Sequence, residues 1–225
     1  MIITITGTNT NVGKTIACAA LATLLADTHE VCVVKPVQTG TTVGMGDVAT
    51  VEKLSGVKTH EFYSFPEPLS PHLAARRAHV HPAKLEVIVD QIRALDASDK
   101  IVLVEGAGGL LVRLAEDFTI ADVARELDSP VIMVTSLGLG SLNAAELSVE
   151  AATRRGLNVV GLIGGLVPVP LIDTATILNI KELPQLTGIP YLGGINQLDD
   201  DPTPEKFAQA IDIDAATLRR VLMLD

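Results

Sequence analysis

Short apolar runs alternate along this chain with longer stretches in which apolar residues recur every three or four positions. The apolar runs Ile2–Thr6, Val31–Lys35, Ile101–Glu105, Val131–Thr135, Val159–Leu166 and Tyr191–Gly194 predict strands. The periodic stretches predict helices at Lys14–Ala26, Asp47–Ser55, Pro82–Leu95, Ile120–Glu126, Leu142–Arg155, Thr174–Thr187 and Ala215–Leu222. Strands without polar alternation belong to a parallel sheet covered on both faces. The expected fold is therefore α/β: a doubly wound, mostly parallel sheet with helices on both faces and right-handed crossovers. Ligands of such a sheet gather at the carboxyl ends of its strands. Residues 56–81 read as a long crossover loop, and 225 residues suit one domain.

Chemistry enters with Gly7-Thr8-Asn9-Thr10-Asn11-Val12-Gly13-Lys14-Thr15, set between the first strand and the first helix. That context is the one a phosphate-binding loop requires. Glycines let backbone N–H groups converge on an anion, and the following helix adds the positive end of its dipole. Asn9–Ile16 are the expected contacts to a nucleoside triphosphate, with Lys14 reaching the outer phosphates and the Thr15 hydroxyl ligating Mg²⁺. The spacing departs from the strict loop pattern, since Thr8 stands at its first glycine position.

Composition then narrows the partners. A net charge of −10 lacks the concentrated Lys/Arg that a nucleic-acid backbone demands. No Trp, four Phe and two Tyr make a poor base-stacking platform. Cys18 and Cys32 fall inside predicted elements and read as reduced buried thiols. The longest uncharged stretch, Gly156–Ile172, is broken by Gly164-Gly165, Pro168 and Pro170, so no membrane span is expected. No basic-then-apolar leader precedes the loop, and the expected location is cytoplasmic.

Four more clusters fall where ligands should gather. Lys35-Pro36-Val37-Gln38-Thr39-Gly40 ends the second predicted strand, and Lys35 reads as a second cation for a transferring phosphoryl group. Glu105 closes Val102-Leu103-Val104 ahead of Gly106-Ala107-Gly108-Gly109, the arrangement that orients Mg²⁺ opposite a phosphate loop. Asp47, in Gly44-Met45-Gly46-Asp47, is either a helix N-cap or a further Mg²⁺ carboxylate. Pro68-Leu69-Ser70-Pro71-His72 reads as a rigid turn with a capping serine. Ser136-Leu137-Gly138-Leu139-Gly140-Ser141-Leu142-Asn143 opens a helix, either as an anion-binding turn or as a turn capped by Ser141.

Taken in order, G-T-x-T-x-V-G-K-T, K-P-V-x-T-G, G-D, E-P-x-S-P-H, V-E-G-A-G-G-L-L-V and L-G-x-x-N resemble the dethiobiotin synthetases, enzymes with a phosphate-loop NTPase fold. The likeness is collinear from residue 2 to about residue 165. It implies an ATP-dependent cyclo-ligase that inserts CO2 between the two amines of 7,8-diaminopelargonate. It also implies catalytic roles for Lys14, Lys35 and Thr39, and Mg²⁺ on Thr15, Asp47 and Glu105. Substrate contacts would come from Thr10, Lys35, Thr39, Pro71, His72 and Gly108. A homodimer is implied too, with Leu139, Gly140, Ser141, Leu142 and Asn143 holding the substrate carboxylate across its interface.

Two departures stand out against that family. Asn11 replaces an acidic loop residue found in many members. Gly164-Gly165-Leu166-Val167-Pro168, expected to meet the nucleotide base, has no side-chain amide where several members read adenine with one. The resemblance thus implies weak discrimination among bases. Two other phosphate-loop classes compete. Cobyrinate-type amide synthetases usually carry a glutaminase domain for which 225 residues leave no room. ParA/MinD-like switch ATPases commonly have an extra early loop lysine where this chain has Thr8 and Asn9, and a basic patch or tail.

Overall fold

A computed structural model describes residues 1–42, 45–170, 173–198 and 200–224. Gly44 ahead of Asp47, Ile172 at the end of the uncharged stretch and the terminal Asp225 lie outside the described residues. The elements in chain order are β1 (Ile2–Gly7), α1 (Lys14–Ala26), β2 (Glu30–Thr39), α2 (Asp47–Ser55), β3 (Lys58–Phe65), α3 (Pro71–Arg77), α4 (Leu85–Arg93), β4 (Lys100–Glu105) and α5 (Ile120–Glu126). They continue with β5 (Val131–Thr135), α6 (Ser141–Arg154), β6 (Val159–Val167), α7 (Thr174–Thr187), β7 (Tyr191–Asn196), α8 (Pro204–Ala210), β8 (Ile211–Ile213) and α9 (Ala215–Leu222).

The strands form one sheet in the order β3-β2-β4-β1-β5-β6-β7-β8. Every pairing is parallel except β7 with β8, which is antiparallel. Side-chain alternation divides the apolar strands between two faces. Ile3, Ile5, Val33, Leu103, Ile132 and Ile163 pack with residues of α1, α2, α8 and α9. Val34, Val102 and Val104 pack under α3, α4 and α5, while Val131 and Met133 pack under α6 and α7. The Ala-rich α1 is buried along most of its length, which lets it lie close over the middle strands. Both cysteines are free and buried. Among the described residues no helix is long and apolar enough to cross a membrane.

The sheet differs from the sequence expectation in three places. Residues 56–81 are not one loop: they hold the edge strand β3 and the helix α3. β3 reads Lys-Thr-His-Glu-Phe-Tyr-Ser-Phe and is mostly half-exposed, so no apolar run marks it. The seven-residue α8 and three-residue β8 are too short to show a period. Finally, β2 does not stop at Lys35 but runs on to Thr39. It pairs with β4 only as far as Val34 and with β3 as far as Thr39. Pro36 lies in this one-sided stretch, where a missing N–H on the free side costs no ladder bond.

β7 and β8 approach closely at Gly193, whose φ is +122°. A Cβ there would lie 2.0 Å from the Asp212 carbonyl oxygen. Gly193→Ala is therefore expected to cost about 2–4 kcal/mol through steric overlap and left-handed strain. Urea unfolding measures this directly. A loss below about 0.5 kcal/mol, the ordinary range for a surface substitution, would contradict the close approach.

Candidate active site

The order of strands brings the carboxyl ends of β1, β2 and β4 together, because β4 returns between the first two. At this reversal of winding an open α/β sheet leaves a crevice. The segment after β1 turns through Asn11 (φ +60°) and Gly13 (φ +92°) into α1. Gly13 precedes α1 without a side-chain cap, so the first N–H groups of the helix are left for a ligand. The Asn9 carbonyl accepts from Lys14 Nζ at 3.1 Å and bends this buried side chain back over the loop. Burial, and after it the charge of Lys35, holds the Lys14 pKa below the usual lysine value.

Opposite the loop, four side chains make one polar cluster. Glu105 closes β4 and is 1% exposed. Its Oε1 accepts from Thr15 Oγ1 at 2.9 Å and from Lys35 Nζ at 2.7 Å. Lys35 Nζ also reaches Asp47 Oδ2 at 2.6 Å and the Gly106 carbonyl at 3.1 Å. Burial alone would lower the Lys35 pKa, but Glu105 and then Asp47 outweigh it, and the net shift is upward. Burial pushes the Asp47 carboxyl up, but Lys35 outweighs it and the net shift is downward. Both residues are thus held in their charged forms at neutral pH.

Asp47 is the first residue of α2, after the capping position held by Gly46. Its carboxylate goes to Lys35, which resolves its two sequence readings away from the cap. Gln38, which the sequence reading did not single out, fixes this junction. Its Nε2 donates to the Thr39 carbonyl at 2.8 Å, and its Oε1 accepts from the Asp47 N–H at 3.4 Å. The signal was available, since Gln38 belongs to the same strand-end segment as Lys35 and Thr39.

A cavity of about 630 Å³ opens over the cluster. Thr10, Asn11, Gly13, Lys14, Thr15, Ile16, Lys35, Thr39, Asp47, Pro71, Glu105, Gly108 and Leu166 all line it, as the sequence reading would require. Its wall also includes Gln38, Pro68, Leu69, Ser70, Ala107 and Val112, none of which was expected at the ligand; Ser70 holds the capping position of α3 without a side-chain cap bond. Ile16 and Leu166 are shared with a neighbouring cavity of about 430 Å³, whose walls include Leu54, Ile195, Asn196 and Phe207. Asn196, at the end of β7, brings a side-chain amide to that second cavity, and the strand-edge rule could have marked it.

Several expected residues sit elsewhere. Val12 is buried beneath the loop. Gly165 supports that loop from below: a Cβ on it would lie 1.8 Å from the Val12 carbonyl oxygen. Gly164 backs onto Tyr191 and Leu137 instead. Val167 pairs with Asn196, and Pro168 follows the strand without lining either cavity. His72 faces Ser70, with 3.0 Å between Nδ1 and Oγ, and does not line the cavity. Leu139 is 98% exposed at the start of α6, and neither it nor Gly140, Leu142 or Asn143 lines the cavity of its own chain. Gly140, not Ser141, holds the capping position, while the buried Ser141 accepts from Asn179 Nδ2 at 3.1 Å.

The cluster fits a small divalent cation by its chemistry. Thr15, Asp47 and Glu105 offer hard oxygen donors, the type Mg²⁺ prefers. No group of three or more His, Cys, Asp or Glu residues suited to a metal occurs among the described residues. An ion here would therefore complete its shell with phosphate oxygens and water, as Mg²⁺ does in nucleotide sites.

Comparison with known proteins agrees with this geometry. The family model described as an AAA domain matches residues 2–204. The ATP-dependent dethiobiotin synthetase BioD of Corynebacterium diphtheriae is 54% identical over 212 residues, covering 94% of this chain and 95% of that relative. The Saccharopolyspora erythraea protein of the same name is 46% identical over 194 residues, covering 85% of each. Among solved structures, a ParA family ATPase from Chlorobium tepidum superposes with a TM-score of 0.58 at 17% identity, covering 100% of this chain and 98% of the other. A chain of the MinC:MinD cell division protein complex of Aquifex aeolicus gives 0.57 at 16%, covering 99% and 96%. The last two share the fold alone, whereas the long, high-identity matches carry the chemistry as well: this chain belongs to the ATP-dependent dethiobiotin synthetase family.

Proposed function

We propose that this chain, acting as a single domain, uses ATP to carboxylate 7,8-diaminopelargonate and close the cyclic urea of dethiobiotin. One observation carries the reading of the site. Two lysines, two carboxylates and a hydroxyl from four separate segments converge on one cavity beside free helix N–H groups. That assembly suits a phosphoryl group moving between two anions, for which positioning and charge stabilisation do most of the work.

In this reading an amine of the diamine takes up CO2, giving a carbamate and releasing a proton. A carbamate oxygen attacks the γ-phosphorus, ADP leaves, and a carbamic–phosphoric anhydride forms. The second amine attacks the carbonyl carbon, the ring closes, and phosphate departs. Lys14 neutralises the outer phosphates from the loop side, and Lys35 does so from β2 while also facing the carbamate. The Thr39 hydroxyl donates to the same oxygens, and Thr10 borders them. Thr15, Asp47 and Glu105 hold Mg²⁺, which when bound supplies charge neutralisation to the triphosphate. Pro71 and Gly108 belong to the diamine side of the cavity, with His72 set behind Ser70.

Leu139, Gly140 and Asn143 are exposed and line neither cavity described above, which favours a role across a homodimer. There the α6 N–H groups would meet the substrate carboxylate. The base end of the nucleotide falls in the second cavity, between Leu54, Leu166 and Phe207. Gly165 supplies no side chain there, so base selection is expected to rest on the Asn196 amide and to be weak.

Purified protein given diamine, bicarbonate, Mg²⁺ and ATP is expected to release phosphate one-for-one with dethiobiotin, followed by mass spectrometry. Phosphate release indifferent to the diamine would contradict the reading. In the same assay Lys35→Ala is expected to lower turnover by about 10²–10³, the usual cost of removing one charged stabiliser. Near-wild-type turnover would take Lys35 out of the mechanism. Across ATP, CTP, GTP and UTP, kcat/KM is expected to vary by less than about tenfold, one hydrogen bond's worth; a strong preference for ATP would refute weak base selection.

A further inference from the structure

The Lys35 ammonium has three N–H donors and no acceptor. Glu105 Oε1, Asp47 Oδ2 and the Gly106 carbonyl, at 2.7, 2.6 and 3.1 Å, satisfy all three. Lys35 itself is 3% exposed, so these partners stand in for all of its hydration. Two of the three are the carboxylates assigned above to the divalent cation. Lys14 lies at the same site but pairs with neither: its recorded partner is the Asn9 carbonyl.

Two carboxylates brought into one partly desolvated site repel each other, and each becomes harder to ionise. A cation between them removes that penalty. Any divalent ion entering alone must break two short ion pairs and leave a buried ammonium with the Gly106 carbonyl as its remaining partner, an arrangement that loss of hydration strongly disfavours. A triphosphate changes the balance. Its oxygens supply new ligands for the metal and a new anionic partner for Lys35 at the same moment.

We propose that Lys35 is a positioning residue in addition to its role at the phosphates: its ammonium holds Asp47 and Glu105 together as a surrogate cation, and a divalent ion displaces it only in company with the triphosphate. This rests on the reading that Thr15, Asp47 and Glu105 hold the metal. Thr15 shares in the exchange, because its hydroxyl donates to Glu105 at 2.9 Å and must turn to offer a lone pair to an ion. The exchange moves Lys35 from the carboxylates toward the phosphates, so metal entry and delivery of the second lysine become one event.

Mn²⁺ binding, followed by the electron paramagnetic resonance of the free ion, tests this without turnover. The comparison takes wild type, Lys35→Met and Lys14→Met, each with and without a non-hydrolysable ATP analogue. Lys35→Met alone is expected to bind Mn²⁺ at least about tenfold more tightly than wild type alone, since a direct competitor is gone. Lys14→Met, which removes an equal charge with no contact to either carboxylate, is expected to gain less than about threefold. Wild type should tighten when the analogue is added. Unchanged or weaker Mn²⁺ binding by Lys35→Met would overturn the proposal, as would an equal gain in Lys14→Met. Absence of Mn²⁺ binding by wild type with the analogue would overturn the metal reading itself, and this proposal with it.

Should Lys35→Met fail to fold, ¹⁵N-lysine spectra of the unaltered protein give an independent answer. A slowly exchanging ammonium signal from Lys35 is expected in the free protein, and it should shift or vanish with Mg²⁺ and the analogue together. A signal unaffected by saturating amounts of both would overturn the exchange.

Discussion

The site depends on one buried arrangement, an ammonium held between two carboxylates where β2, β4 and α2 meet. A charge moved out of water is tolerated only if the protein replaces its hydration. Here the replacement comes from three segments distant in sequence: Lys35 on β2, Asp47 at the start of α2 and Glu105 closing β4. Thr15 on α1 ties the phosphate loop into the same group. The fold is constrained accordingly. β2 must continue past Lys35 so that Gln38 can steady the first turn of α2, and β4 must end at Glu105 so that the Gly106 carbonyl faces the ammonium. The same contacts that hold these segments in register also set the spacing of Thr15, Lys35, Asp47 and Glu105 around the cavity.

The ParA family and MinC:MinD structures share the sheet, at 17% and 16% identity, and the likeness stops at the fold. In the present chain Thr39, Pro68, Leu69, Ser70 and Pro71 line the β2 and α3 side of the cavity, across from the phosphate loop. The nucleotide side is simpler. A close backbone packing of Gly165 beneath Val12 and Gly13 sets the height of the loop, and apolar residues border the neighbouring cavity.

Much of this was legible in the sequence, for physical reasons. β1, β4, β5 and β6 are buried on both faces, so their apolar runs stand out. The phosphate loop, Lys35, Asp47 and Glu105 were visible because charged or glycine-rich residues interrupt or follow such runs. β3 was hidden because an edge strand needs only one good face, and His60, Glu61 and Ser64 blur its pattern. α3, α8 and β8 were hidden by their length. Lys35 was placed one structural step wrong, at a strand end and not within the strand, because Pro36 looks like a terminator until its one-sided pairing is known. The role of Asp47 stayed open for a different reason. Cap and ligand use the same residue type near a helix start, and the structure separates them by putting Gly46 at the cap and the Asp47 carboxylate 2.6 Å from Lys35.

The central claim is that a carbamate oxygen becomes part of the phosphate released. It is tested most directly by running the reaction in bicarbonate labelled with ¹⁸O, under conditions where exchange with water is slow, and analysing the products by mass spectrometry. The account predicts one ¹⁸O in the phosphate for each dethiobiotin formed, because the bond from carbamate oxygen to phosphorus survives when the second amine expels phosphate. Unlabelled phosphate beside labelled dethiobiotin would contradict the anhydride, and with it the placement of Lys14 and Lys35 around a transferring phosphoryl group.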